Sequence, residues 1–122
     1  MDKNALEAII AQAKQAAAAA AQAYVDKWTA ETGGNQYGEP MYCGFARTTI
    51  KQYAGKNIDG RTKIGRLLKA AGVSQNYTGR FELHDPAGWG GQSMDVKAAG
   101  AQAAAQVLEQ HGFTANSTAW PD

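Results

Sequence analysis

The chain has 122 residues, of which 44% are hydrophobic and 19% charged, with a formal net charge of +1. That length and composition fit one domain that buries roughly two-thirds of its unfolded surface, and they argue against intrinsic disorder. A single cysteine excludes an internal disulfide and a multi-cysteine zinc site. No apolar run approaches the roughly 20 residues that span a bilayer.

Alanine supplies 25 residues, concentrated in Ala5–Ala30 and Ala98–Ala105. Residues 1–31 contain neither Gly nor Pro, so they predict one long helix. Asn4 is its expected cap, with Glu7 three residues on, and Gly33 and Gly34 end it. Leu6, Ile10, Ala13, Ala17, Ala20, Tyr24 and Trp28 form its apolar stripe. Alanine in the middle of that stripe allows a second helix to approach closely. The helix is expected to pack on its own domain, with a homodimer through the N-terminal helix as the alternative. Asp2 and Glu7 argue against a targeting segment.

Residues 32–40 are a Gly-rich connection. Within 41–122, Met41–Tyr53 predicts a strand with Tyr42, Gly44, Ala46, Thr48 and Ile50 on one face. Arg61–Ala71 predicts a short helix with Ile64, Leu67, Leu68 and Ala71 as its apolar side and Gly72 as its stop. Arg80–His84 predicts a strand and Asp85–Gly91 a loop. Ser93–His111 predicts a second long helix, capped by Ser93 and packing through Met94, Val96, Ala99, Ala103, Val107 and Leu108. Phe113–Trp120 predicts a last strand. The expected fold is a two-layer α+β domain: an Ala-rich helix followed by a small β-α-β-α-β unit.

The net charge conceals a segregation. Residues 46–80 carry eight basic residues against Asp59 alone, while the flanking segments are acidic. Clustered Lys and Arg bind phosphate backbones with release of counterions. Arg47, Lys51, Arg61, Lys63, Arg66, Lys69 and Arg80 are therefore the candidate phosphate-binding residues. Tyr53 and Tyr77 are candidates to stack on bases, and Trp89 is a further candidate contact. The bland alternative is a solvated basic face pairing with the acidic C-terminal third. The phrase Ile64–Phe81 resembles a repressor-type helix-turn-helix, although Thr78-Gly79 interrupts its second helix.

His84–Asp95 (HDPAGWGGQSMD) joins a strand to a helix, where backbone amides suit an anion, but it lacks the Lys of a Walker A loop. Cys43 is a candidate nucleophile only if His84 or His111 serves as its base. The phrase YGEPMYCGFA is similar to papain-like peptidases and related amidases, but their Cys opens a helix and this one falls in a strand. No metal or other cofactor is expected.

Three phrases, GNQYGEPMYCGFA (34–46), RTKIGRLLKAAG (61–72) and QSMDVKAAGAQA (92–103), resemble a family of small tailed-phage accessory proteins without established activity. The likeness spans most of residues 34–122 and supplies no site residues. It implies expression in the host cytoplasm, which the single Cys fits. The expected function is non-enzymatic binding of nucleic acid or phosphate-bearing ligands through the basic middle segment. The alternatives are a protein-interaction module that inhibits a host enzyme or serves as a virion component, and a Cys43-dependent hydrolase.

Overall fold

Asp2, not Asn4, starts the first helix: its carboxylate accepts the amide of Ala5 at 2.8 Å. Capping from that position adds residues to the front of the helix. Helix α1 then runs over Lys3–Thr32 and ends where Gly33 adopts a left-handed φ of 82°. A computed structural model describes residues 1–122. It continues with β1 (Gly44–Tyr53), β2 (Lys56–Asn57), α2 (Lys63–Ala70), β3 (Ser74–Gln75), β4 (Phe81–His84), α3 (Met94–Gln110) and β5 (Phe113–Pro121).

The fold is two-layer α+β, with all strand pairs antiparallel. Strand β1 is central. It pairs with β5 over Gly44–Tyr53 and with β4 over Arg47–Ile50, while β3 extends the sheet beyond β4. Strands β4 and β5 flank β1 and therefore run parallel to each other, which requires a crossover, and α3 supplies it. The two-residue strands β2 and β3 carry too few residues to show an alternation in the sequence.

One face of the sheet is covered by helices. Ala46, Thr48, Ile50, Phe81, Leu83, Phe113 and Ala115 are buried beneath them. Alternation turns Phe45, Arg47 and Thr49 to the other face, which no helix covers. Tyr42 precedes the strand and is exposed rather than joining the inner face. Buried Thr48 keeps its hydroxyl satisfied by donating to the Ala101 carbonyl at 2.7 Å.

The buried stripe of α1 is Leu6, Ile9, Ile10, Ala13, Ala17, Ala21 and Val25. Its second half is rotated from the expected Ala20–Tyr24–Trp28 line, because α3 lies against Ala17. A Cβ added at Gly100 would come within 3.2 Å of the Ala17 carbonyl oxygen and 2.7 Å of the Ala87 Cβ. Only small residues fit that crossing, so Ala21 and Val25 continue the seam and pack with Val96, leaving Tyr24 at the surface. The same geometry shifts the buried set of α3. Gly100, Ala101, Ala104 and Ala105 are buried, whereas Ala99 and Ala103 are only half-buried. Helix α1 thus shares one core cluster with Ile50, Leu68, Phe81 and Leu108.

No helix-turn-helix forms at Ile64–Phe81. Helix α2 ends before Gly72, which has a φ of 85°, and Ser74–Gln75 pairs with β4. Asn76 then closes a turn by accepting the amides of Thr78 and Arg80 at 2.9 and 3.0 Å. The burial of Val73 and Phe81 on either side draws this segment into the sheet. No helix is long and apolar enough to cross a membrane.

Gly100→Val places three carbons into the α1–α3 crossing. We expect a loss of about 1–3 kcal/mol, measured by thermal or urea denaturation. An unchanged transition would contradict the close-approach account.

Candidate nucleic-acid interface

The basic face is built on α2. Its entry is set by Asp59, whose carboxylate accepts the amides of Arg61 and Thr62 at 2.7 and 3.2 Å. Thr62 then caps the helix by accepting the amide of Gly65 at 3.0 Å. Gly65 is obligatory there, since a Cβ would run into the Asp59 carbonyl oxygen. The Arg61 amide holds the Asp59 carboxyl below the usual aspartate range. Desolvation by neighbouring groups opposes this, and the Thr62 amide with the Arg61 and Lys69 charges adds to the lowering. The only acidic residue of residues 46–80 is therefore directed at backbone amides. Arg61, Lys63, Arg66 and Lys69 are all exposed. None lies within 4.0 Å of a carboxylate; the ion pairs of the molecule are Lys3–Glu7, Lys27–Glu31, Arg47–Glu82 and His84–Glu82.

A cleft of about 380 Å³ opens between α2 and the β1–β2 hairpin. Tyr53, Ile58 and Ile64 form its apolar walls, and Lys56, Asn57, Thr62 and Lys63 its polar margin. The Tyr53 ring is fixed against Phe113, with centroids 4.8 Å apart. Both turn residues of the hairpin, Ala54 and Gly55, have positive φ, 51° and 78°. Alanine takes that conformation at a cost, and the Ala54 amide bonded to the Gly112 carbonyl at 2.9 Å helps hold it. Lys56, Ile58 and Ile64 enter the site only through this cleft, which forms where the segment Tyr53–Ile64 folds back on itself.

The other sequence candidates are dispersed. Arg47 stands on the open sheet face, 3.2 Å from Glu82 and with its guanidinium 4.9 Å from the centre of the Trp120 ring. The ion pair is not aligned as a hydrogen bond: Arg47 Nε and Glu82 Oε2 lack hydrogen-bond partners. His84 approaches the other Glu82 oxygen at 3.1 Å. Lys51 is half-buried where β1 bulges between Ile50 and Gln52. Tyr77 and Arg80 are exposed on the Asn76 turn. The segregated charges therefore converge in part: Lys63, Arg66 and Lys69 share α2 with Arg61 in the turn before it, Lys56 and Lys63 line the same cleft, and Arg47 is engaged elsewhere.

The Gly-rich loop before α3 already holds an anion of its own chain. Glu39 accepts the Trp89 indole N–H at 2.8 Å, the Gln92 amide at 2.7 Å and the Ser93 amide at 3.0 Å. Ser93 occupies the cap position, but its side chain makes no capping bond; Glu39 instead anchors the two residues that lead into the helix, Gln92 and Ser93, the latter from 54 residues away. No sequence signal marks such a long-range contact. Trp89 is half-buried, packing with the Ala21–Val25–Val96 cluster. Burial pushes the Glu39 carboxyl up, but the bonds from Trp89, Gln92 and Ser93, with the Lys97 charge, leave it below the usual glutamate range. Lys97 is itself buried, donating to the Gly44 carbonyl at 3.0 Å with Phe45 beside it at 5.4 Å. Burial pushes Asp85 above the usual aspartate range, against the influence of Lys97 and the Trp89 backbone.

Cys43 is exposed, with its thiol 3.9 Å from the Met41 carbonyl. It lies just before β1, bridged to Ser93. Neither histidine is hydrogen-bonded to it: His84 bonds to Glu82 and His111 to Gln12. No group of His, Cys, Asp and Glu has the arrangement of a metal site.

Glu39→Ala removes the acceptor of the Trp89 indole and of the Gln92 and Ser93 amides before α3. We expect a loss of about 1–3 kcal/mol at neutral pH, the scale of leaving such donors without their charged partner. Because the folded-state carboxyl is more acidic than in the unfolded chain, its contribution is complete above the usual glutamate range. It fades as pH falls through and below that range, so wild type and variant should converge in acid. Denaturation at a series of pH values checks this, and a pH-independent difference would contradict it.

No protein-family model, curated protein or solved structure matches the chain.

Proposed function

We propose that the chain is a non-enzymatic binding protein for phosphate-bearing polymers, single-stranded nucleic acid in particular, and that α2 with its adjoining cleft makes the contact. The observation that carries this reading is an apolar cleft edged by Lys56 and Lys63, beside the exposed cations Arg61, Arg66 and Lys69, none of them within 4.0 Å of a carboxylate. Cations at the margin suit phosphates, and the Tyr53–Ile58–Ile64 walls suit the flat apolar face of a base. A duplex hides those faces, which favours a single strand. Arg80 and Tyr77, on the neighbouring turn, extend the same reading. An accessory role of the kind the phage resemblance implies fits it too.

The test is a fluorescence-anisotropy titration of labelled single- and double-stranded oligonucleotides against wild type and the triple variant Arg61→Glu, Lys63→Glu, Arg66→Glu. All three positions are exposed, so circular dichroism should be unchanged. We expect affinity to fall roughly tenfold or more in the variant. Retained affinity would remove α2 from the interface.

A second reading is favoured by a different observation. Tyr37, Met41, Tyr42 and Phe45 are large apolar side chains exposed within one short stretch, as at protein contact surfaces. In that reading the chain binds a protein. A nuclease-resistant complex lost on Met41→Ser with Tyr42→Ser would support it over the first, and a complex that survives both substitutions would count against it.

A further inference from the structure

We infer that two copies of this chain pair through the free edge of β5 to form one continuous sheet. The hydrogen-bonding parity identifies the edge groups. The Asp122 amide donates to the Cys43 carbonyl, and Asp85 donates to the Ala46 carbonyl. Alternation from these two bonds directs Phe45, Arg47 and Thr49 of β1 toward β5, and Ala46, Thr48 and Ile50 toward β4. On β5, Trp120, Thr118 and Asn116 then bond to β1, and Ala115, Ser117 and Ala119 turn their amides and carbonyls outward. No strand pairs with β5 on that side.

This edge lacks the usual protection. Exposed edges are blunted by charge, by shortness, by a bulge or by proline. Strand β5 is nine residues long, FTANSTAWP, with no charged residue. The bulge in the β1–β5 pair lies on β1, and the one proline, Pro121, lies at the end. Solvent satisfies such a row singly, and an extended strand satisfies it as a whole.

The occupant that fits is a second copy. A twofold axis through Ser117 sets Ser117 against its own counterpart and Ala115 against Ala119 of the other copy, each pair exchanging two backbone bonds. On the open face, Thr118 then neighbours Asn116 of the other copy, and no like charges meet. The helix layer is equally compatible. Thr48 is opposite Ser117 in register and bonds to the Ala101 carbonyl, so the middle of α3 lies level with the axis. From Ala98 to Gln106 that helix contains only Ala, Gly and Gln, so two such helices approach without charge repulsion or bulk. The pairing leaves α1 out of the interface. It does not depend on the function of the basic face.

Sedimentation velocity on nuclease-treated protein at high salt tests this, with amide hydrogen exchange on the same samples. The expected result is a species of twice the 12.9 kDa chain mass. Protection of the Ala115, Ser117 and Ala119 amides should be lost on dilution. Ser117→Pro removes the central outward donor and should shift the equilibrium to monomer. Ala119→Pro, at an exposed position nearer the strand end, is the gentler variant if the first misfolds. A monomer at every concentration would overturn the inference and leave the edge to an unrelated extended peptide. A dimer in which those amides exchange freely would overturn it equally, by placing the interface elsewhere.

Discussion

A half-buried glutamate, bonded to an indole and two backbone amides, ties the connection after α1 to the loop before α3. Glu39 lies in the connection after α1, and its partners Trp89, Gln92 and Ser93 lie in the loop that opens α3. With that carboxylate in place, Gly44 and Met94 close further backbone bonds between the two loops, at 3.0 Å to Gln92 and 2.8 Å to Tyr42. The start of β1 is thereby fixed against the start of α3. The site where a Gly-rich loop and a helix N-terminus offer themselves to an external anion is filled from within.

The same chemistry recurs at α2 and shapes the electrostatics of the whole molecule. Asp59 caps the turn before α2 instead of pairing with a cation. Glu82 is claimed by Arg47 and His84 on the open sheet face. Glu39 and Asp59 are thus directed at amides and Glu82 at one local cluster, while the cations of α2 have no carboxylate within 4.0 Å. A protein of nearly neutral net charge therefore keeps an exposed cationic surface at residues 56–69. The bland reading of that surface requires the acidic C-terminal third to pair with it. Asp85, Asp95, Glu109 and Asp122 form no ion pair, and Glu82 reaches only Arg47 and His84.

Local pattern was readable where local physics decides. The alanine-rich helix, the β1 alternation of Ala46, Thr48 and Ile50, and the Gly72 stop follow from propensity and period. The phase of the second half of α1 was not readable, because Ala21 and Val25 are selected by the α3 crossing at Gly100. Nor was the anchor of the loop before α3, since Glu39 acts across 54 residues. The basic segment was visible as a run of charge, but the run does not fold as one patch. Strand parity carries Arg47 to the open face, and the cleft that groups Lys56 with Lys63 arises from the turn geometry between β2 and α2, which no period in the sequence encodes.

The most direct test of the binding account is amide chemical-shift mapping of the labelled protein during titration with a short single-stranded oligonucleotide. The account predicts saturable shifts confined to Tyr53–Ala70 and the Asn76–Arg80 turn, reversed by added salt. Shifts centred on Arg47, Thr118 and the open sheet face, or no shifts at low salt, would contradict it.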